Sequence, residues 1–168
     1  MSIVDFIFSF SFLYPLVMAW TWMIGGLWFF FKYEFRQRAL PEPSQEGASI
    51  IIPCFNEDEQ VRETIRFALQ TQYPKFEVIA VNDGSSDQTA AILDELVKEH
   101  EQLRVVHLAN NQGKAYALRS GAMVSRYEYL ICIDGDALLH PHAVLWMMHH
   151  LLNFGHVGAV TGNPRILN

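Results

Sequence analysis

Two carboxylates flank a single glycine in Asp134-Gly135-Asp136, at the end of the apolar run Leu130–Ile133. Acidic side chains are seldom buried without a partner, so the pair reads as the rim of a ligand crevice. Two oxygen ligands one residue apart suit a hard cation, Mg²⁺ or Mn²⁺, which usually completes its shell with water and substrate phosphates. Glycine between them is expected to let the backbone turn tightly. Gly113-Lys114 opens a helical pattern and offers free backbone N–H groups with a point positive charge, both suited to phosphate. In Asn82-Asp83-Gly84-Ser85-Ser86-Asp87, Gly84 permits close approach, so Asp83 is placed to accept hydrogen bonds from a base or ribose edge. Pro53-Cys54-Phe55-Asn56-Glu57 supplies a further polar strand end.

Each cluster alone is an ordinary turn signal. Their shared position is what counts. Ser49–Pro53, Phe76–Val81, Arg104–Leu108 and Tyr129–Ile133 read as apolar, β-branched strands, and Val157–Val160 starts a fifth. Between them lie helical patterns: Glu57–Thr71, with Val61, Ile65, Ala68 and Leu69 on one face; a helix to about Glu99 opened by a Ser85/Gln88 capping box, with Ala91, Ile92, Leu96 and Val97 inward; Lys114–Ser125, with Ala115, Leu118 and Ala122; and a helix from Pro141 with Val144, Leu145, Met148, Leu151 and Leu152 inward. This alternation specifies an α/β fold: a mostly parallel sheet with helices on both faces. Such sheets bind ligands beyond the carboxyl ends of their strands, where all four polar clusters fall.

The elements before the sheet differ in kind. Phe6–Phe31 carries no charge and is long enough to span a bilayer, tolerating Pro15. The start MSIVD lacks the basic region of a signal peptide, so a retained anchor over residues 1–37 is expected. Lys32, Arg36 and Arg38 follow the span and Asp5 precedes it, which puts the following domain in the cytoplasm. Residues 38–47 (RALPEPSQEG) read as a linker and 48–168 as the soluble domain. Net charge is −6, with 12 Lys+Arg against 18 Asp+Glu, and no basic stripe is visible, which argues against nucleic acid. Cys54 and Cys132 sit in apolar runs and read as reduced core cysteines. The histidines at 140, 142, 149 and 150 lack the spacing of a helical zinc site.

The segments IIIPCFNE, EVIAVNDGSSD, NNQGKAYAL and LICIDGD, in that order, resemble the family 2 glycosyltransferases of the GT-A fold, nearest the processive β-glycan synthases. The resemblance implies that Pro53, Asn56 and Glu57 line a nucleotide pocket, Asp83 holds uracil, Lys114 sits near the nucleotide, Asp134 faces the ribose and metal shell, and Asp136 ligates the cation. It implies a membrane-anchored inverting enzyme of a bacterial inner membrane, with the soluble domain in the cytoplasm. That enzyme would use a UDP-sugar, UDP-N-acetylglucosamine foremost, to extend a β-linked exopolysaccharide on a growing glycan acceptor. A small membrane partner subunit and activation by cyclic di-GMP come with the same resemblance. Two family features, a Thr-Glu-Asp-like catalytic carboxylate and a Gln-x-x-Arg-Trp acceptor motif, are absent from these residues, so the base is expected beyond Asn168. The alternatives are an inactive membrane-tethered nucleotide-sugar-binding module, or a family 2 transferase for a chitin-, hyaluronan- or cellulose-like glycan or a polyprenyl-phosphate acceptor. A phosphatase using Asp-x-Asp ranks below both, because that chemistry belongs on a first strand.

Overall fold

The structure is a computed structural model describing residues 3–35 and 39–162. It divides into two compact units, Met1–Leu40 and Pro41–Asn168.

The first unit is one helix, α1 (Ile3–Phe29), running into a π-helical turn, Phe30–Glu34. Ile3–Tyr33 is 31 residues and apolar enough to cross a membrane. At 1.5 Å per residue it is about 46 Å long, against a hydrocarbon core of about 30 Å. Pro15 is accommodated inside the helix, and Thr21 returns its hydroxyl to the Val17 carbonyl at 2.8 Å. No side chain of α1 is buried. Of the basic residues that follow the span, Lys32 lies over the Trp28 ring, 4.4 Å from its centroid; Arg36 and Arg38 fall outside the described residues.

The second unit is a four-stranded parallel sheet, order β3-β2-β1-β4, built from β1 (Ala48–Cys54), β2 (Phe76–Asn82), β3 (Leu103–His107) and β4 (Tyr129–Cys132). The intervening helices are α2 (Val61–Leu69), α3 (Thr89–Glu99), α4 (Lys114–Val124) and α5 (Ala143–Asn153). β1 is central and apolar on both sides, as a strand covered by helices on both faces must be. Ile50 and Ile52 face one core with Val61 and Ile65 of α2, Leu93 and Leu96 of α3, and Val144 and Met148 of α5. Ile51 faces a second core with Ile79, Val81 and Ala117 of α4. Each fully buried isoleucine contributes about 2–3 kcal/mol. α4 comes close because Gly121 has no Cβ: one placed there would stand 2.5 Å from Ile51 Cγ2.

Several expectations are corrected. Val157–Val160 is not a strand; an apolar run needs a ladder partner, and it has none among the described residues. α2 starts at Val61, not Glu57; the Val61 N–H donates to the Glu57 carbonyl at 2.8 Å, and the Glu57 and Asp58 N–H groups ahead of it are held by Thr89 Oγ1 (2.9 Å) and Asp87 Oδ2 (3.2 Å). The Ser85/Gln88 capping box does not form; Ser85 Oγ accepts the Asn56 N–H instead (3.1 Å), and Asp87 Oδ1 holds the Thr89 N–H at 2.9 Å. α5 begins at Ala143, since Pro141 offers its carbonyl to the Gln72 N–H. Ala91 and Ala115 are exposed, and Leu93 and Ala117 occupy the buried positions instead. Cys54 is a core residue, but Cys132 is exposed on a face of β4 that no helix covers among the described residues.

Candidate functional site

Parallel strands put all their carboxyl ends on one edge, and there β1, β2 and β4 deliver the polar clusters. They surround a cavity of about 390 Å³. Pro53, Glu57, Asp83, Lys114, Asp134 and Asp136 line it, together with Cys54, Phe55, Asn111, Gly113 and Gly135. Asn56 does not. It adopts φ +55°, a left-handed conformation that asparagine tolerates, and its Oδ1 accepts the Ser86 N–H at 2.9 Å. It joins the β1–α2 loop to the β2–α3 loop. Burial pushes the Cys54 thiol up to about 12, with the Glu57 charge adding to it, so this wall residue is an inert thiol.

Asp83 is 3% exposed. Its Oδ1 accepts the Gln112 N–H at 2.9 Å and its Oδ2 the Gly113 N–H at 2.8 Å. The carboxylate therefore anchors the loop entering α4 and still has lone pairs for a ligand donor. Two glycines make this loop contact possible. Gly113 has φ +89°; Gly84 has φ +65°, and a Cβ on it would lie 2.6 Å from the Asn111 nitrogen.

The tight turn expected at Gly135 forms, the Ala137 N–H donating to the Asp134 carbonyl at 3.1 Å, but it does not draw on the left-handed freedom of Gly135. Its φ is not positive. The requirement is space: an added Cβ would stand 3.0 Å from the Pro53 carbonyl oxygen and 3.4 Å from Glu57 Cγ. The Gly135 carbonyl accepts the Thr64 hydroxyl at 2.7 Å. Thr64, a buried polar residue on the inner face of α2, thus fixes the loop bearing both aspartates. Sequence reasoning missed it; a threonine among Val61, Ile65 and Ala68 was the available signal.

Lys114, the first residue of α4, forms an ion pair with Asp134. Both side chains are more than half exposed, so the pair adds little stability, but it ties the α4 loop to the β4 loop across the cavity. Asp136 has no hydrogen bond or ion pair among the described residues. Partial burial raises the Glu57 carboxyl above its ordinary range, and the charges of Asp136 and then Asp87 raise it further. Glu57, Asp134 and Asp136 therefore give the cavity a negative wall, offset in part by Lys114. No cluster of three or more metal-type side chains occurs among the described residues. One or two carboxylates are what a cation shared with a diphosphate requires, so Asp134 and Asp136 fit such an ion.

A GT-A-type α/β domain with its binding edge at the strand carboxyl ends is what this fold and cavity define. The profile described as Glycosyl transferase family 2 matches residues 49–167, and the chain belongs to that family. A poly-beta-1,6-N-acetyl-D-glucosamine synthase of Staphylococcus epidermidis is 40% identical over 96% of this chain and 40% of its own length. The synthase of the same name from Staphylococcus aureus strain COL is 36% identical, with the same coverage of both chains. The chain thus spans about 40% of the length of these relatives. Among solved structures, a mannosyltransferase from Pyrobaculum calidifontis in complex with GDP-Man and Mn²⁺ has a TM-score of 0.62 at 22% identity, over 83% of this chain and 44% of that one. S. aureus TarS in complex with UDP-GlcNAc has a TM-score of 0.53 at 23% identity, over 62% of this chain and 31% of that one. These two likenesses concern the fold.

Proposed function

We propose that this chain forms the donor-binding part of a membrane-anchored, inverting glycosyltransferase that uses UDP-N-acetylglucosamine to extend a β-1,6-linked N-acetylglucosamine polymer. The observation that carries the reading is the convergence of Glu57, Asp83, Lys114, Asp134 and Asp136 on one cavity at the sheet's carboxyl edge. The names of the two synthases support the polymer, and the UDP-GlcNAc complex of a fold neighbour supports the donor.

In this reading Asp83 receives the uracil or ribose edge with the lone pairs left over from Gln112 and Gly113. Lys114 turns its ammonium from Asp134 toward the diphosphate. Asp136, with Asp134, holds a divalent cation, Mg²⁺ or Mn²⁺. When bound, that ion supplies charge neutralisation to the departing diphosphate. Pro53, Phe55 and Gly135 also line the cavity. The acceptor hydroxyl attacks the anomeric carbon and UDP leaves; no residue of this chain is assigned to take the acceptor's proton. Helix α1 holds the domain at a bacterial inner membrane, facing the cytoplasm.

Calorimetric titration of the chain with UDP, with Mn²⁺ and with EDTA, tests the reading. UDP should bind measurably only with the metal, and Asp136→Asn should remove that metal-dependent gain while leaving the fold intact. Equal UDP affinity in EDTA and Mn²⁺ would remove the metal from the proposal, and a folded chain that ignores UDP would remove the donor site.

A further inference from the structure

Outside the cavity, a chain of hydrogen bonds runs from the surface of α3 to the β1–α2 loop. Asp94 Oδ1 lies 3.1 Å from His107 Nε2, and His107 Nδ1 lies 3.0 Å from Asn82 Nδ2. Asn82 Oδ1 accepts the Ser85 N–H at 3.0 Å, and Ser85 Oγ accepts the Asn56 N–H at 3.1 Å. Asn82 is 4% exposed, so its amide has little access to water as an alternative partner.

The polarity of this chain follows from one fixed donor. A backbone N–H only donates, so Ser85 holds the Asn82 oxygen toward itself. The Asn82 nitrogen must then face His107, and His107 Nδ1 must accept. The ring proton is left on Nε2, where the Asp94 carboxylate receives it. Each group has a single consistent role. Asp94 therefore selects the imidazole tautomer that keeps the Asn82 amide in the one orientation able to hold Ser85.

We infer that His107, oriented by Asp94, is a positioning residue for the donor cavity, acting through Asn82 and Ser85 on the backbone at Asn56. The consequence lies in the cavity wall. Asn56 sits between Phe55 and Glu57, which line the cavity, and Asn82 precedes Asp83, which holds Gln112 and Gly113. Losing the acceptor at position 107 frees the Asn82 amide to rotate and releases the Ser85 N–H. The two loops that meet there then lose their common register. This inference rests on the nucleotide reading above only for its binding consequence; the relay itself is testable without nucleotide.

The test compares His107→Ala, His107→Asn and Asp94→Asn in the full chain in detergent micelles. Two readouts are needed: hydrogen exchange at the Ser85 and Asn56 amides without ligand, and calorimetric UDP affinity with Mn²⁺. Asparagine at 107 keeps a side-chain acceptor near the position of Nδ1, so His107→Asn should retain slow Ser85 exchange and near-normal UDP affinity. His107→Ala should speed Ser85 exchange and weaken UDP roughly three- to tenfold, the worth of about one hydrogen bond. In the unaltered chain, imidazole ¹⁵N shifts should report the Nε2–H form, and Asp94→Asn should broaden them toward a tautomer mixture. Unchanged Ser85 exchange in His107→Ala, or a protonated Nδ1 in the unaltered chain, overturns the relay. If Ser85 exchange responds while UDP affinity does not, the positioning role is overturned. If the unaltered chain binds no UDP, the nucleotide reading fails, and the amide exchange alone decides the relay.

Discussion

The backbone N–H of Gly113 points at Asp83 Oδ2 from 2.8 Å, joining residues that lie at the ends of different crossovers. With Gln112 on the other oxygen, the carboxylate is a two-pronged acceptor for a loop that has no strand or helix of its own. Asp83→Asn keeps the size but presents an NH₂ to one of two donors. One hydrogen bond is then lost, at about 0.5–1.5 kcal/mol, since both donors are partly exposed and the Gly113 N–H also reaches Asn111 Oδ1 at 2.9 Å. The variant should unfold at lower urea and bind UDP roughly tenfold more weakly, following the same hydrogen-bond loss. Native urea stability with native UDP affinity would contradict the anchoring role.

The Thr64 hydroxyl on the Gly135 carbonyl leads to a second expectation. Thr64→Val preserves shape and leaves the carbonyl unpaired, which should lower stability by about 1–3 kcal/mol and weaken Mn²⁺ binding in the presence of UDP. Thr64→Ser should recover both. Gly135→Ala brings its new methyl to 3.0 Å from the Pro53 carbonyl oxygen, which must give by a few tenths of an ångström, and should weaken metal-dependent UDP binding. Denaturant midpoints and Mn²⁺ titrations by electron spin resonance check all three; tight Mn²⁺ binding by Gly135→Ala would refute the close-approach argument.

Acid stability should carry two opposed contributions. Burial pushes the Glu77 carboxyl up, but the Arg126 N–H, the Ser49 hydroxyl, and the hydrogen bond and charge of Arg104 outweigh it, so it titrates below its ordinary 4.5. Its stabilisation is full above 4.5 and is lost as pH falls through the depressed folded value. Glu57 has the opposite sign: its folded value is raised, so a penalty is absent below 4.5 and present once pH exceeds that raised value. Glu77→Gln should destabilise the chain at pH 7 by about 1–3 kcal/mol, because Arg104 loses a buried acceptor while keeping the Val124 carbonyl, and should flatten the acid limb. Glu57→Gln should raise the melting temperature at pH 7 and leave it unchanged at pH 4. Thermal melts across this range decide, and an acid limb as steep in Glu77→Gln as in the unaltered chain would exclude Glu77 as its source.

The lopsided charge around α1 predicts a cytoplasmic domain. A fluorescent protein that matures only in the cytoplasm, fused after Asn168, should fluoresce, and alkaline phosphatase at the same point should stay inactive. Active phosphatase would reverse the orientation.

The sheet was legible where burial is two-sided. Ile50, Ile51 and Ile52 form a continuous apolar run, the signature of a strand covered on both faces, and it marks β1 to within a residue at each end. Val157–Val160 looks similar in composition but has no neighbour to pair with among the described residues, and composition carries no information about neighbours. The candidate site was legible as residue types at strand ends. What remained hidden was which groups those types would meet. Thr64 and Gly135 are 71 residues apart, and Asp83 takes its donors from a loop 29 and 30 residues on. Ser85 has the right spacing for a capping box, yet its hydroxyl is claimed by Asn56 from another crossover. Local pattern reasoning fails where a second loop competes for the same polar group.

Strand order β3-β2-β1-β4 also orders events as the chain leaves the ribosome. β1, β2 and β3 add in sequence, each beside the strand made just before it, so three-quarters of the sheet can pair while Tyr129–Cys132 is still unsynthesised. β4 then returns to the far side of β1, a pairing that brings Ile51 to Cys132 across the longest loop in the sheet. Asp134 and Asp136 arrive with that strand. Nascent chains arrested before β4 should already hold a protected three-stranded core, and the metal-dependent UDP binding proposed above should appear abruptly only once the fourth strand clears the exit tunnel.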